Sequence, residues 1–215
     1  LKKKKLIRCG YTYFDYLNLK LDKNNLKDEI LIAPSWNKNQ INFINEKFEK
    51  IIEKIIKSGF KVRFRPHPEN FKRSKKYLNR IKKKFNGNMF IFDEDPENYK
   101  AFEKAKCLIT DTSGISIEFL LLMKRPVLYF DDFDKIHNNQ FKNFQNLKTI
   151  DDIVKYKFGN FFKENEINNL EKIIEHTIFN FKEKDNEIEN FISDNFFNYN
   201  KTTNFIKTNL SNIIN

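Results

Sequence analysis

Apolar positions along this chain switch between two periods. Glu29 to Ala33 (EILIA) is a short apolar run closed by Pro34. Ile44, Phe48, Ile51, Ile52 and Ile55 then recur on one face of a predicted helix that ends at Ser58-Gly59. Phe60 to Phe64 alternates as a strand does and is broken by Arg65-Pro66-His67-Pro68. The Lys-rich stretch Asn70 to Phe85 reads as a second helix, closed by Asn86-Gly87. Met89 to Phe92 is a third strand, Pro96 opens a helix through Ala105, and Cys107 to Thr110 is a strand of the fully buried type. Asp111-Thr112-Ser113-Gly114 leads into a helix from Ile115 to Met123, and Arg125-Pro126 into a fifth strand, Val127 to Phe130. Five short strands alternating with helices predict an α/β fold, a Rossmann-like, doubly wound parallel sheet with right-handed crossovers. Beyond it come a link at Lys148 to Lys155 and C-terminal helices at Glu164 to Phe181, Asn186 to Phe196 and Thr202 to Ile214. These helices are expected to pack back on the sheet or on a further domain.

Length and composition narrow this picture. A chain of 215 residues fits a single domain, and 40% hydrophobic with 15% aromatic residues excludes intrinsic disorder. Cys9 and Cys107 lie in separate apolar runs without a Cys-x-x-Cys pair, and there are three histidines, which argues against a zinc site or disulfide scaffold. No apolar run approaches the roughly 18 residues that span a bilayer, and Lys2 to Lys5 are not followed by a signal-type segment. A cytoplasmic or peripheral protein is expected, and a start at Leu1 suggests a fragment of a longer chain. The net charge of +11 has two readings, a solvated Lys-rich surface or attraction to a polyanion such as nucleic acid, acidic lipid or a phosphate-bearing polymer.

In open α/β sheets ligands bind beyond the carboxyl ends of the strands, so the loops after the strands carry the candidate chemistry. Those loops hold Ser35 and Trp36, then Arg65, His67 and Pro68, then Asp111 to Gly114, and finally Asp131 to Asn138 with Lys135 and His137. Thr112 or Ser113 is a natural N-cap, and Gly114 lets a ligand approach the first N–H groups of the following helix, an anion site suited to a pyrophosphate. The alternative is a plain capped helix. Glu118, one turn into an otherwise apolar helix, is placed either to accept ribose hydroxyls or to face solvent. His67 is held stiff between two prolines, and with Arg65 on the same side of an extended segment the pair could neutralise a leaving phosphate. Trp36 could stack on a base or pack in the core. His137 is undecided, and His176 reads as a boundary residue of a late helix. Asp131 and Asp132 suggest a metal at first sight but read better as a solvated loop. No Gly-x-Gly-x-x-Gly, Walker A or Gly-x-Ser-x-Gly sequence occurs.

Taken in order, these segments resemble the donor-binding half of the CDP-glycerol glycerophosphotransferase family, the teichoic acid polymerase and primase-like enzymes of GT-B fold. Cys9 to Leu17 is similar to that family's Gly-x-Pro-Arg-x-Asp-x-Leu opening, with Thr12 and Tyr13 replacing Pro-Arg. Ile32-Ala33-Pro34-Ser35-Trp36 resembles Tyr-Ala-Pro-Thr-Trp, and Arg65-Pro66-His67-Pro68 the His-Pro motif whose His serves the donor phosphates in transfer. Ile109 to Phe119 with Lys124 to Asp131 looks like the Thr-Asp-Tyr-Ser-Ser block, with Thr112, Gly114 and Glu118 as departures, and Asn198 to Thr203 like the closing Gly-Lys-Ser segment.

The resemblance implies a single donor-binding domain over residues 1–215, the C-terminal half of a GT-B enzyme. An acceptor half with a second His as general base lies outside it. The implied reaction is attack of an acceptor hydroxyl on the β-phosphate of a CDP-alcohol, either CDP-glycerol or a related CDP-activated polyol. His67 is the implied catalytic residue. The implied donor-binding residues are Arg65, Pro68, Ser35, Trp36, Asp111, Thr112, Ser113, Gly114, Glu118 and Lys135. Neither a metal nor another cofactor is required. The acceptor would be a lipid-linked polymer of capsule or teichoic acid type, reached through the other half at the inner face of the membrane, where an anionic surface would use the basic charge. Two other classes stay open: a glycosyltransferase or UDP-sugar epimerase of the same fold, which would prefer UDP, and a basic nucleic-acid-binding module. The ordered motifs on one rim speak against nucleic acid.

Overall fold

A computed structural model describes residues 6–24, 28–36, 46–131, 140, 143, 148–182 and 184–214. Six strands form its centre: β1 (Glu29–Ile32), β2 (Lys61–Phe64), β3 (Phe90–Phe92), β4 (Ala105–Thr110), β5 (Val127–Phe130) and β6 (Asn160–Phe162). They lie in the order β3-β2-β1-β4-β5-β6, and each neighbouring pair is parallel. The expected doubly wound sheet is therefore present, with the order reversing between β1 and β4.

The strands are buried on both faces because their side chains alternate between two cores. Ile30 and Ile32 of β1 join one apolar cluster, and Leu31 between them joins the other. On the first face lie α2 (Glu46–Lys57), α4 (Lys75–Lys84) and α8 (Leu170–Asn180), and α2 presents Phe48, Ile51, Ile52 and Ile55, each fully buried. Burying such a side chain stabilises the fold by about 1.5–3 kcal/mol, enough to fix which side of a lysine-rich helix faces inward. Ile44, expected at the start of this stripe, lies outside the described residues. The second face is covered by α1 (Thr12–Lys20), α5 (Tyr99–Lys104), α6 (Ile115–Met123), α7 (Ile150–Phe158) and α9 (Asp185–Asn195).

Several expected boundaries move. The helix read over Asn70 to Phe85 is two, α3 (Pro68–Arg73) and α4, with Ser74 ending one and opening the other. Glu164–Asn169 is a 3-10 helix that precedes α8, rather than part of one long helix. The helix expected from Pro96 starts at Tyr99. Of the stretch Lys148 to Lys155, read as a link, the part from Ile150 onward belongs to α7, which is capped by Thr149 accepting from the Asp152 N–H. Neither β6 nor α1 was anticipated.

A clasp joins the two ends of the chain. Asp15 of α1 accepts from the N–H groups of Thr202 and Thr203 at 3.3 and 2.6 Å, capping α10 (Thr202–Ile214). Asn198 Nδ2 donates to the carbonyls of Arg8 and Cys9. Gly10 sits at φ +95°, and a Cβ there would overlap Phe197 O and Thr202 Oγ1, so the position accepts only glycine. The segments that open and close the family resemblance thus meet in space. Among the described residues no helix is long and apolar enough to cross a membrane.

Candidate functional site

The loops after β1 and β4 flank the point where the strand order reverses, and they are tied to each other. Asp111, almost fully buried, accepts from the Ser35 N–H and the Ser35 hydroxyl, both at 2.7 Å. Thr110 Oγ1 donates to Ala33 O at 2.7 Å one residue earlier. Asp111 and Ser35 therefore build the floor of the crevice. Thr112 stands half-buried beside them.

At the start of α6 the expected cap is replaced. Gly114 occupies the N-cap without a side-chain cap bond, and Ser113 serves through its carbonyl, which accepts from Ser116 N and from Ser116 Oγ at 2.7 Å. The helix spans Ile115–Met123 as the sequence predicts, so the N-cap position falls on Gly114 and not on Thr112 or Ser113. Among the described residues no group accepts from the N–H groups of Ser113, Gly114 and Ile115. A Cβ added at Gly114 would meet nothing within 4 Å, so the space before these donors is open. Unspent N–H groups and the positive end of the helix dipole together suit an anion.

The His-Pro loop follows β2, which pairs with β1 as β4 does. Two strand spacings, about 10 Å, separate it from the start of α6, a span comparable to a nucleotide's phosphates and sugar. His67 is the N-cap of α3: its Nδ1 accepts from the Glu69 N–H at 3.1 Å, and Pro68 fills the first helical position. With Nδ1 accepting, a neutral ring carries its proton on Nε2 and donates from there. Arg65, expected beside His67 at the donor phosphates, is engaged by the loop after β3. Its guanidinium donates to Asp95 O at 2.7 Å and Pro96 O at 3.3 Å and lies 3.4 Å from Asp93, which also faces Arg63. Arg63 in turn donates to buried Glu29 at 2.7 Å. Arg65 thereby holds the loop after β3 against the rim.

That loop supplies residues the sequence did not flag. Asn98 Nδ2 donates to Glu118 at 3.0 Å, while its Oδ1 accepts from the Tyr13 hydroxyl at 3.1 Å. Burial pushes the Glu118 carboxyl up to about 7, partly offset by the Asn98 bond. The Tyr13 phenol is raised by its own burial and then by Glu118. Glu118 thus neither lies in the apolar core nor faces bulk solvent. Asn98 had no sequence signal, and Tyr13 stood out only as a departure from the family motif. Asn70, fully buried in α3 with neither amide atom partnered among the described residues, was also unmarked.

Trp36 is half-buried under the Arg73 guanidinium, 4.9 Å from its ring centroid. Lys135, His137 and Asp132 lie outside the described residues. Asp131 faces Lys155 at 3.3 Å. His176 is exposed on α8, bonded to Asn180 and remote from the rim. Cys107 is buried, and its thiol is pushed up to about 12 by desolvation. Among the described residues no three His, Cys, Asp or Glu side chains converge as a metal set.

A parallel sheet of this order defines a Rossmann-like, doubly wound domain, a fold in which ligands bind at the switch point beyond the strand ends. Comparison with known proteins places it further. The family model of CDP-glycerol:poly(glycerophosphate) glycerophosphotransferases matches residues 11–204, and the chain belongs to that family. Among solved structures it resembles the wall teichoic acid polymerase TagF, at 19% identity over 94% of this chain and 47% of that one, with a TM-score of 0.52. A variant of TagF matches at 16% identity over 94% and 48%, with a TM-score of 0.53. The UDP-GlcNAc 2-epimerase of Methanocaldococcus jannaschii, solved with UDP-GlcNAc and UDP, is 18% identical over 83% of this chain and 49% of that one, at a TM-score of 0.48. No curated protein sequence matches. The chain spans about half the length of the structures it resembles.

Proposed function

We propose that this chain is the donor-binding half of a glycerophosphotransferase that moves a phospho-polyol from CDP-glycerol, or a related CDP-alcohol, to a hydroxyl of a cell-surface polymer. The observation that carries this reading is the set of N–H groups at Ser113, Gly114 and Ile115, unpartnered among the described residues and opening on clear space at the switch point of a family member. In the proposed reaction the acceptor oxygen forms a bond to the β-phosphorus and the bond to the bridging oxygen breaks, so that CMP leaves with that oxygen. The acceptor's proton goes to a base on the other half. The helix start receives the charge that develops on the leaving group, and His67 donates to it through Nε2. Glu118, held by Asn98, accepts from the donor's hydroxyls, and Trp36 and Arg73 border the same rim. Work at a lipid-linked acceptor would seat the enzyme peripherally at the inner face of the membrane.

The test is calorimetric titration with CMP, CDP, CDP-glycerol, UDP and UDP-N-acetylglucosamine, repeated on Gly114→Asp. An aspartate at that N-cap suits the helix and fills the anion site with a like charge, so stability is expected to hold or rise while nucleotide binding disappears. Preference for uridine nucleotides would move the reading to a UDP-sugar enzyme. Unaltered binding by Gly114→Asp would remove the helix start from the site.

A further inference from the structure

We propose that the outer face of α3 and α4 is a track for a polyphosphodiester chain, the growing polymer; this rests on the polymer-transferase reading above. Charge on this protein is concentrated rather than spread. Residues 68–84 carry eight Lys or Arg against one Glu, a net +7 out of the +11 of the whole chain. The segment begins at the His-Pro loop, since His67 caps α3 and Ser74 passes the chain directly into α4. A row of cations therefore starts at the proposed reaction centre and leads away from it.

Several of these cations are already spent. Glu69 takes Lys72 and Arg73, Glu49 takes Arg80 and Lys84, and Glu94 takes Lys82. Lys75, Lys76 and Lys83 are exposed and face no carboxylate among the described residues. Lys76 and Lys83 stand seven residues apart on the side of α4 opposite buried Leu78 and Ile81, with Lys75 beside them. Helix stability explains Lys83, which sits in the last turn where the dipole favours cations. It does not explain Lys75 and Lys76, which stand in the first turn without an acidic neighbour, at the end where the dipole disfavours them. A solvated lysine surface gives no reason for that placement, whereas a polyanion laid along the helix does.

The kind of polyanion follows from what else the face presents. A bilayer-binding helix needs an apolar stripe to insert, and the apolar residues of α4 are used up in the core. Single-stranded nucleic acid is held by stacked aromatic rings, and the two rings of α3 and α4 are engaged within the protein, Tyr77 under Arg80 at 4.6 Å and Phe71 edge-on with Phe92 at 6.3 Å. A polyol phosphate polymer offers regularly spaced charge and neither lipid tails nor bases.

The experiment measures binding of a short, water-soluble poly(glycerol phosphate) oligomer to the 215-residue chain across a salt series. It compares wild type with the triple variant Lys75→Gln, Lys76→Gln, Lys83→Gln, and titrates CMP in parallel. At low salt the triple variant is expected to bind the oligomer at least about tenfold more weakly, with a shallower salt slope and unchanged CMP affinity. Equal oligomer affinity in wild type and variant overturns the proposal, as does a wild type that binds no oligomer. Tighter binding of phosphatidylglycerol vesicles or of an RNA oligonucleotide of equal charge also overturns it, by reassigning the face. Loss of CMP binding in wild type would instead strike at the donor-site reading, which this face does not form.

Discussion

At the scale of single residues, the two side chains with most to say about chemistry each meet a defined partner, His67 the Glu69 N–H and Glu118 the Asn98 amide. His67 does two jobs that substitution can separate. Asparagine is a good N-cap and can accept from the Glu69 N–H as Nδ1 does, but it offers nothing in place of Nε2–H. His67→Asn is therefore expected to melt within about 0.5 kcal/mol of wild type, whereas His67→Ala loses the cap and about 1 kcal/mol. Both should lose nucleotide affinity, and calorimetry beside thermal melts checks it; full affinity in His67→Asn would reduce the residue to a cap. Glu118 makes a pH-dependent prediction. Its carboxyl is held at about 7 against an ordinary 4.5, so the folded state binds the proton more tightly than the unfolded one. Stability from this group is complete below the ordinary value and is lost as pH rises from there through about 7. Glu118→Gln cannot ionise, and it should be near neutral at about pH 5 and stabilising at about pH 8, by on the order of 3 kcal/mol at most. Equal melting shifts at the two pH values would show that burial does not govern this carboxyl. His67 was legible because two prolines bracket it. Asn98 was not, since a lone Asn in a polar loop says nothing until the fold brings Tyr13 and Glu118 to either side of it.

Elements were legible in proportion to how far their apolar pattern outran their length. Val127 to Phe130 and Thr202 to Ile214 coincide with β5 and α10, and the other central strands shift by one or two residues, because Pro or Gly bounds each run. β6 is three residues long at the sheet edge, too short for any period, and Gly159 before it lies where a Cβ would run into the Tyr129 ring. Signal did exist for α7, in the spacing of Ile150, Ile153, Val154 and Phe158 after the Thr149 cap. The clasp is invisible in one dimension, because Asp15 and Thr203 are 188 positions apart. It yields a prediction for the element it caps. Asp15→Ala leaves buried N–H groups at the start of α10 without their acceptor, which costs about 1–2 kcal/mol. Hydrogen exchange should show protection lost along α10 and the paired face of α1 while the central strands stay protected. A uniform loss over the whole sheet would mean that the clasp is part of the global core instead of a local closure.

Over the whole molecule, the fold class was read from the alternation of strands and helices along the chain, and the charge distribution needed the helices in place before it meant anything. The switch point assembles four loops from distant stretches of chain: Ser35 locks to Asp111, Arg65 holds the loop carrying Asn98, and α6 begins in open space. Each of these ties is satisfied before any ligand arrives, so little ordering is needed on binding, and the bound state should be stabilised close to the ideal linkage value. At a concentration of CDP-glycerol about a hundredfold above its dissociation constant, that value is about 2.7 kcal/mol. For a chain of this size it corresponds to a rise in Tm of roughly 5–10 °C. The same incubation should release no CMP above the solvolysis background. The base for the acceptor's hydroxyl is expected on the other half, since on this rim His67 accepts from the Glu69 N–H through Nδ1 and the Glu118 carboxyl is engaged by Asn98. Binding without turnover is thus the signature of a donor half. Turnover by the 215 residues alone, read as CMP appearing with an added polyol acceptor, would mean that this chain carries a complete site and that the division of labour proposed for it is wrong.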